Sequence, residues 1–155
     1  MMAMRVQLLV DGLCIDLDHD ELPALCWHLA EREDAAEILG RLAQHASEAV
    51  QEVVASSNYL PREAHLVLAT SPSDKVATAA LGSDRASELG ADILSRLAAR
   101  PSDVALSVVG LLQCLSAEVR QRITPQLKTH PDPAVRKALA AELSNLDVLE
   151  RDADG

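Results

Sequence analysis

The sequence predicts an all-α protein, an α-solenoid of short helical repeats preceded by a β-hairpin. Three observations predict this fold class. The 155 residues are 48% hydrophobic but include one Trp, one Tyr and no Phe, and a core of small aliphatic residues suits closely packed helices better than strands. A short motif recurs along the chain. Residues near the amino terminus alternate in polarity about an Asp-Gly turn.

The length is that of one domain, since about 150 residues bury roughly 70% of the surface that the unfolded chain exposes. We expect a single domain over residues 1–155. Its predicted parts are a β-hairpin at 1–19, N-terminal helices at 20–45, about four helical repeats at 42–143 and an acidic tail at 147–155.

The predicted hairpin turns at Asp11-Gly12, a dipeptide typical of a type I′ turn because both positions need a positive φ. A two-residue turn pairs residues whose numbers sum to 23. One face is then apolar, with pairs Val6–Leu17, Leu8–Ile15 and Val10–Leu13. Because an isolated hairpin is marginally stable, we expect this face to cover either the first helices or a second copy of the protein, which would make a homodimer.

After residue 18 the apolar residues follow the helical period of three to four, and short helices continue to the end of the chain. The repeated motif has steps of 26, 29 and 30 residues. Its four copies begin at Leu42, Leu68, Leu97 and Leu127. In each copy a helix ends, a polar turn follows, and Ser47, Ser73, Ser102 or Asp132 is expected to cap the next helix. One such unit cannot bury its apolar face alone, but stacked units can.

Residues 53–82 resemble the leucine-rich repeat variant family, and residues 127–140 resemble both that family and the broader HEAT-like class. The residues that carry the first resemblance are Asn58, Pro61, Leu68, Ala69, Pro72, Val76 and Ala80. The resemblance covers about residues 42–143 and implies a right-handed superhelix used as a binding scaffold. Some family members carry an iron–sulfur cluster on a Cys-rich N-terminal segment, but here that segment has only Cys14 and Cys26, so we expect no cofactor.

The net charge of −10 argues against a general nucleic-acid binder and against an anionic membrane surface. No apolar run approaches the ~20 residues that a membrane span needs, and the start of the chain does not resemble a signal peptide. Three cysteines fit a reducing cytoplasm better than a disulfide framework. We therefore expect a cytoplasmic protein, and the family resemblance favours a bacterial one.

The triplet Asp16, Asp18 and Asp20 matches the start of a calcium loop. That loop also needs Gly at its sixth position and Glu at its twelfth, where this chain has Glu21 and Trp27. We expect a solvated strand edge followed by a helix N-cap.

A zinc site built from Cys14, His19, Cys26 and His28 matches no known spacing of Cys and His ligands. Cys26 falls on an apolar helix face. We therefore expect no metal, and we interpret Cys26 and Cys114 as buried structural thiols.

No nucleophile or phosphate-binding motif is present, so we assign no catalytic residue. His45, His65 and His130 recur near helix ends, where a His side chain serves either as a cap or as a catalytic group. We expect caps. An enzyme with an unrecognised site stays an alternative.

Two sets of residues are candidates for partner binding. The first is a basic segment, residues 96–137, which holds seven bases and three acids: Arg96, Arg100, Arg120, Arg122, Lys128, Arg136 and Lys137 against Asp103, Glu118 and Asp132. This segment is either a binding stripe for an anionic partner or a solvated face. The second set is the pair Trp27 and Tyr59, which are either interface anchors or packed caps between repeats.

The sequence thus favours a non-catalytic protein-interaction scaffold. An adaptor, or an inhibitor that covers a basic partner through residues 11–37, fits the acidic amino-terminal region. A nucleic-acid-handling solenoid that uses residues 96–137 is the first alternative, although no aromatic residues are interleaved there to stack on bases.

Overall fold

A computed structural model describes residues 5–18 and 20–154. Within these residues the chain is mostly helical, at 69%, with nine α-helices and a two-stranded antiparallel sheet. The predictions of a mainly helical fold and of an N-terminal hairpin are confirmed at this level. The superhelix stays a prediction. The chain divides into two compact units, Met1–Ser83 and Asp84–Gly155, which are described in turn.

The first unit begins with the hairpin, in which β1 is Gln7–Val10 and β2 is Leu13–Asp16. Asp11 has a φ of 47° and Gly12 a φ of 82°, as a type I′ turn requires. The strands pair in the predicted register: Gln7 with Asp16, Leu8 with Ile15, Leu9 with Cys14 and Val10 with Leu13.

The apolar face of the hairpin does not cover the first helices. Leu13 is 74% exposed, Ile15 is 60% exposed and Leu8 is also exposed. The first helices therefore do not cover this face, and contact with a second copy stays a prediction.

Five α-helices and one 3-10 turn complete the first unit. They are α1 (Leu22–Ala30), the 3-10 turn (Glu33–Ala35), α2 (Ala36–Leu42), α3 (Glu48–Ala55), α4 (Arg62–Ala69) and α5 (Asp74–Leu81). Helix α3 packs against both α1 and α5, and α4 packs against α5. The core therefore lies along α3 and α5.

The second unit contains two helical hairpins joined by short turns. Its elements are a 3-10 turn (Asp84–Glu88), α6 (Ala91–Ala98), α7 (Ser102–Gly110), a second 3-10 turn (Leu112–Cys114), α8 (Ala117–Lys128) and α9 (Pro133–Asp154). The first helices of the hairpins, α6 and α8, pack together, and so do the second helices, α7 and α9. Each helix therefore packs against the corresponding helix of the other hairpin, as in stacked helical repeats.

The sequence repeat corresponds to a repeat in burial. In all four copies the leucine that begins the motif is buried, and so is the small apolar residue eight positions later. These residues are Leu42 and Val50, Leu68 and Val76, Leu97 and Ala105, and Leu127 and Val135. The motif therefore records which side chains form the core.

Hydrogen bonds between successive helical segments have the spacing of the repeat. In the first unit the Ser57 hydroxyl donates to the Ala30 carbonyl at 2.6 Å, and the Ser83 hydroxyl donates to the Ser57 carbonyl at 3.4 Å. In the second unit the His130 ring Nε2 bonds the Arg100 carbonyl at 2.9 Å. Each bond joins residues 26 to 30 positions apart. These bonds satisfy buried polar groups while they hold adjacent repeats together.

The four predicted helix caps have different outcomes. The Ser73 hydroxyl accepts a hydrogen bond from the Val76 N–H, and Asp132 Oδ1 accepts one from the Ala134 N–H at 2.8 Å. Ser47 stands at the N-cap position of α3 without a side-chain cap bond. Ser102 does not cap α7.

Ser102 is instead the first residue of α7, and Pro101 takes the capping position. The ring of Pro101 fixes φ near the value that a helix start tolerates. The hydroxyl of Ser102 is then directed to the Asp132 carboxylate, to which it donates a short hydrogen bond.

Candidate interaction surfaces

Helix α1 presents its one aromatic side chain to solvent. The helix buries Leu22, Cys26 and Ala30 on one face, and Trp27 falls outside that face because it lies 100° around the helix from Cys26. Trp27 is 58% exposed. A large amphipathic ring left in water is typical of an interface residue.

Carboxylates surround this helix in the sequence. Residues 11–37 hold nine acidic residues and one basic residue, Arg32. The guanidinium of Arg32 is bound to the side chain of Asp34 at 2.6 Å, and this hydrogen bond lowers the pKa of Asp34. The single cation of the segment is therefore engaged within it, and Glu37 at its end lies 3.3 Å from Arg41 of α2.

Tyr59 lies in the loop between α3 and α4 and is exposed. Its backbone N–H donates to the Ser57 hydroxyl at 3.2 Å. The loop is thus tied to the buried serine that bonds the end of α1, while the ring of Tyr59 faces solvent. Both aromatic residues are accessible to a partner.

The basic residues of 96–137 do not form one unpaired stripe. Arg120 Nη2 lies 3.6 Å from Glu150 Oε1 of α9, whereas Arg122 Nη2 lies 2.6 Å from Asp92 Oδ1 of α6. Two residues apart on a helix, these side chains point in different directions. Each therefore has its own carboxylate partner from another helix.

The remaining basic candidates lie near helix ends. Arg96 is in the last turn of α6 and Arg100 follows that helix, while Arg136 and Lys137 are in the first two turns of α9. The Arg136 guanidinium donates a short hydrogen bond to the His130 carbonyl. The structure thus assigns at least three of the arginines in this segment to internal contacts.

The three histidines serve as backbone hydrogen-bonding groups. His65 Nε2 bonds the Ala80 carbonyl at 2.9 Å. His45 Nδ1 accepts from the Ser47 N–H at 3.0 Å, and His130 Nδ1 accepts from the Asp132 N–H at 3.1 Å. His45 and His130 occupy the same place in their repeats and make the same turn contact. His65 and His130 thus bond backbone carbonyls, as the expected caps would, whereas His45 accepts a hydrogen bond from a backbone N–H.

The cysteines have two environments. Cys26 is buried, and its burial raises the pKa of the thiol, as an inert structural Cys requires. The expectation for Cys114 was wrong, because this residue is exposed. It ends a 3-10 turn in which Leu112 points inward, and the next buried side chain is Leu115. Cys114 is directed outward between them.

The described residues show no group of three or more His, Cys, Asp or Glu side chains arranged to hold a metal ion. His19, one of the residues weighed for zinc, lies outside them. Among the helices that the structure describes, none combines the length and the apolar composition that crossing a membrane takes.

Two features were not anticipated from the sequence. A groove of about 400 Å³ runs between α8 and α9, with Arg120 and Lys128 on one wall and Asp147 and Glu150 on the other. Leu9 is exposed on the hairpin face opposite Leu8. The adjacent Leu8-Leu9 interrupts the alternation of polarity, and this was the available signal that an apolar side chain lies on the second face.

Comparisons of the chain with protein-family models, with curated proteins and with solved structures find no match. The function therefore has to be argued from the surfaces described above.

Proposed function

We propose that the chain is a non-catalytic scaffold, an adaptor or an inhibitor, that binds a basic segment of a protein partner through the acidic region 11–37 with Trp27 as the anchor. The observation that carries the proposal is the 58% exposure of Trp27. Tryptophan is the residue most enriched among those that dominate binding energy.

The charge around the anchor defines the partner. Nine carboxylates against one engaged arginine attract a cationic segment and repel an anionic one. A basic partner would bury the indole at the centre of the interface and meet carboxylates at its rim. Rim charges raise the association rate and make it sensitive to salt.

Helical repeats support the scaffold part of the proposal. In the second unit, corresponding helices of successive hairpins pack together, and bonds spaced by the repeat length join the copies in both units. This is the construction that a HEAT-like solenoid of leucine-rich-repeat-variant character would use to present an extended surface. We place such a scaffold in a bacterial cytoplasm and assign it no catalytic residue and no cofactor.

Binding of nucleic acid through residues 96–137 is the less supported alternative. It requires arginines that are available to neutralise phosphates, whereas Arg120 and Arg122 already contact carboxylates and Arg136 contacts a backbone carbonyl.

The test is affinity capture from native lysate with nuclease present, using wild type and two variants. Trp27→Ala removes the anchor, and Leu149→Ala removes a side chain of similar exposure, 54%, from α9. We expect wild type and Leu149→Ala to retain the same protein partner. Trp27→Ala should weaken binding by about 30-fold or more, as loss of an anchor of ~2 kcal/mol does.

Capture that Trp27→Ala leaves unchanged would contradict the proposed surface. Loss of all partners on nuclease treatment would favour the nucleic-acid alternative. A captured partner should also elute at raised salt, because screening weakens the contacts of the carboxylates.

A further inference from the structure

The hairpin carries an uninterrupted aliphatic face. Paired residues and alternate residues of an antiparallel pair point to the same side, so Leu8, Leu13 and Ile15 share one face. The backbone pairing continues to Val6 and Leu17, where the Leu17 N–H donates to the Val6 carbonyl at 2.9 Å. Every one of these side chains is a hydrocarbon.

The charged groups of the hairpin lie elsewhere. Asp16 is on the opposite face, where its carboxylate accepts a hydrogen bond from the Gln7 amide at 2.7 Å. A basic partner would find its carboxylates on that side or at Asp11 in the turn. The aliphatic face therefore offers no electrostatic attraction to a cationic protein, and its complement is another uncharged aliphatic surface.

Exposure of this much apolar surface is unfavourable for a hairpin of only two strands. Leu8, Leu13 and Ile15 are 43%, 74% and 60% exposed, and a two-stranded hairpin without a covered apolar face is only marginally stable in water. A second copy of the protein supplies an uncharged aliphatic surface of this kind, because every copy presents the same face.

The available area fits a weak symmetric contact. The exposed parts of the three side chains amount to roughly 300 Å² per copy, and the flanking residues and backbone raise the total for two copies to about 800–1,000 Å². This is below the roughly 1,200–2,000 Å² of stable specific complexes and is the size of weak, transient contacts. A dimer held by this area alone is expected to dissociate at micromolar concentration.

We propose that the hairpin is a self-association element, in which the face of Leu8, Leu13 and Ile15 packs on the same face of a second copy about a two-fold axis. The two sheets then lie about 10 Å apart, with all carboxylates of the strands directed to solvent. The face shares Leu13 and Ile15 with the region 11–37 of the proposed function, but the proposal does not depend on that function.

Sedimentation velocity on the full chain tests the proposal, over concentrations up to about 500 µM. We expect a reversible monomer–dimer equilibrium that strengthens as salt rises. Each copy carries a net charge of −10, and salt screens the repulsion between copies while it strengthens apolar association.

Two substitutions in the same strand provide the matched comparison. Leu8→Asp places a carboxylate on the proposed contact, and Leu9→Asp makes the same chemical change at the neighbouring position on the opposite face. Leu8→Asp should weaken the dimer by at least tenfold, while Leu9→Asp should leave it within about threefold of wild type. Circular dichroism checks that both variants keep their helices.

Three results would overturn the proposal. They are a wild-type monomer at every concentration, a dimer that Leu8→Asp leaves intact, and equal weakening by both substitutions. A monomer in which Trp27→Ala still abolishes partner capture would reject self-association and leave the proposed function standing.

Discussion

At the residue scale, the turn between α8 and α9 holds a carboxylate, Asp132, whose pKa is lowered by its hydrogen bonds. The Ser102 hydroxyl and the Ala134 N–H both donate to the Asp132 carboxylate, and these bonds, with smaller contributions from His130 and Arg136, lower the pKa of Asp132. The bonds favour the ionised carboxylate in the folded state.

The sign of the pH effect follows from this lowered pKa. The contribution of Asp132 to stability is present above its unfolded pKa of about 3.9 and is lost as pH falls through that value toward the lower native pKa. Asp132→Asn keeps a good N-cap but removes the charge. Thermal unfolding should show Asp132→Asn below wild type at neutral pH, with the difference shrinking as pH falls below the unfolded pKa of about 3.9.

Asp152→Asn, an exposed position near the end of α9, is the control for that experiment. It should track wild type across the titration within experimental error. A constant difference between Asp132→Asn and wild type at every pH would show that the ionised state of Asp132 contributes nothing.

At the element scale, the short helices α1 to α7 are stabilised by the faces that they bury, because helices of seven to nine residues are not stable alone. Helix α4 illustrates this. Leu68 is fully buried, whereas Leu66, two positions earlier and on the other side of the helix, is exposed. The same residue type therefore has two different energetic roles within one helix.

Leu68→Ala should lower the free energy of unfolding by about 2–5 kcal/mol, through lost burial and the cavity that remains. Leu66→Ala should change it by no more than about 0.5 kcal/mol. Urea denaturation with comparison of m-values measures both. Similar losses for the two variants would mean that α4 is not packed as described.

The hairpin and the buried helix faces could be predicted from local sequence. Only some of the helix caps could. The Asp11-Gly12 turn determines the register because few residues adopt a positive φ. Whether the Ser102 hydroxyl caps α7 or bonds to Asp132 depends on the proline before it and on the position of Asp132, 30 residues later. Such competition between local and distant partners is not encoded in a single turn.

At the scale of the whole molecule, charge and aromatic exposure direct the functional argument. Residues 1–83 carry 13 acids and five bases, and residues 84–155 carry 11 acids and nine bases. Composition alone predicts this asymmetry. It does not predict that Arg122 contacts Asp92 or that Arg120 contacts Glu150, since these partners become neighbours only when the helices pack. Counting the basic residues of 96–137 in the sequence therefore overestimates the positive charge available at the surface.

For Trp27 and for the apolar face of the hairpin the sequence left two alternatives open, and the two cases differ in how much the sequence could decide. The difference is physical. The face on which a helix residue lies follows from its angle around the helix axis. Whether the sheet face is covered depends instead on the path of the chain after residue 18. Both surfaces now point to partners outside the single chain.

The most direct test of the proposed function is photo-crosslinking in native cells with a photoreactive aromatic residue in place of Trp27 and, in a second strain, in place of Leu149. Because an aromatic ring is retained at position 27, the anchor keeps most of its size. We predict that position 27 forms a covalent adduct with one basic protein and that position 149 does not. Adducts at neither position, the same adducts at both, or an adduct at position 27 only with a second copy of the chain would contradict the account.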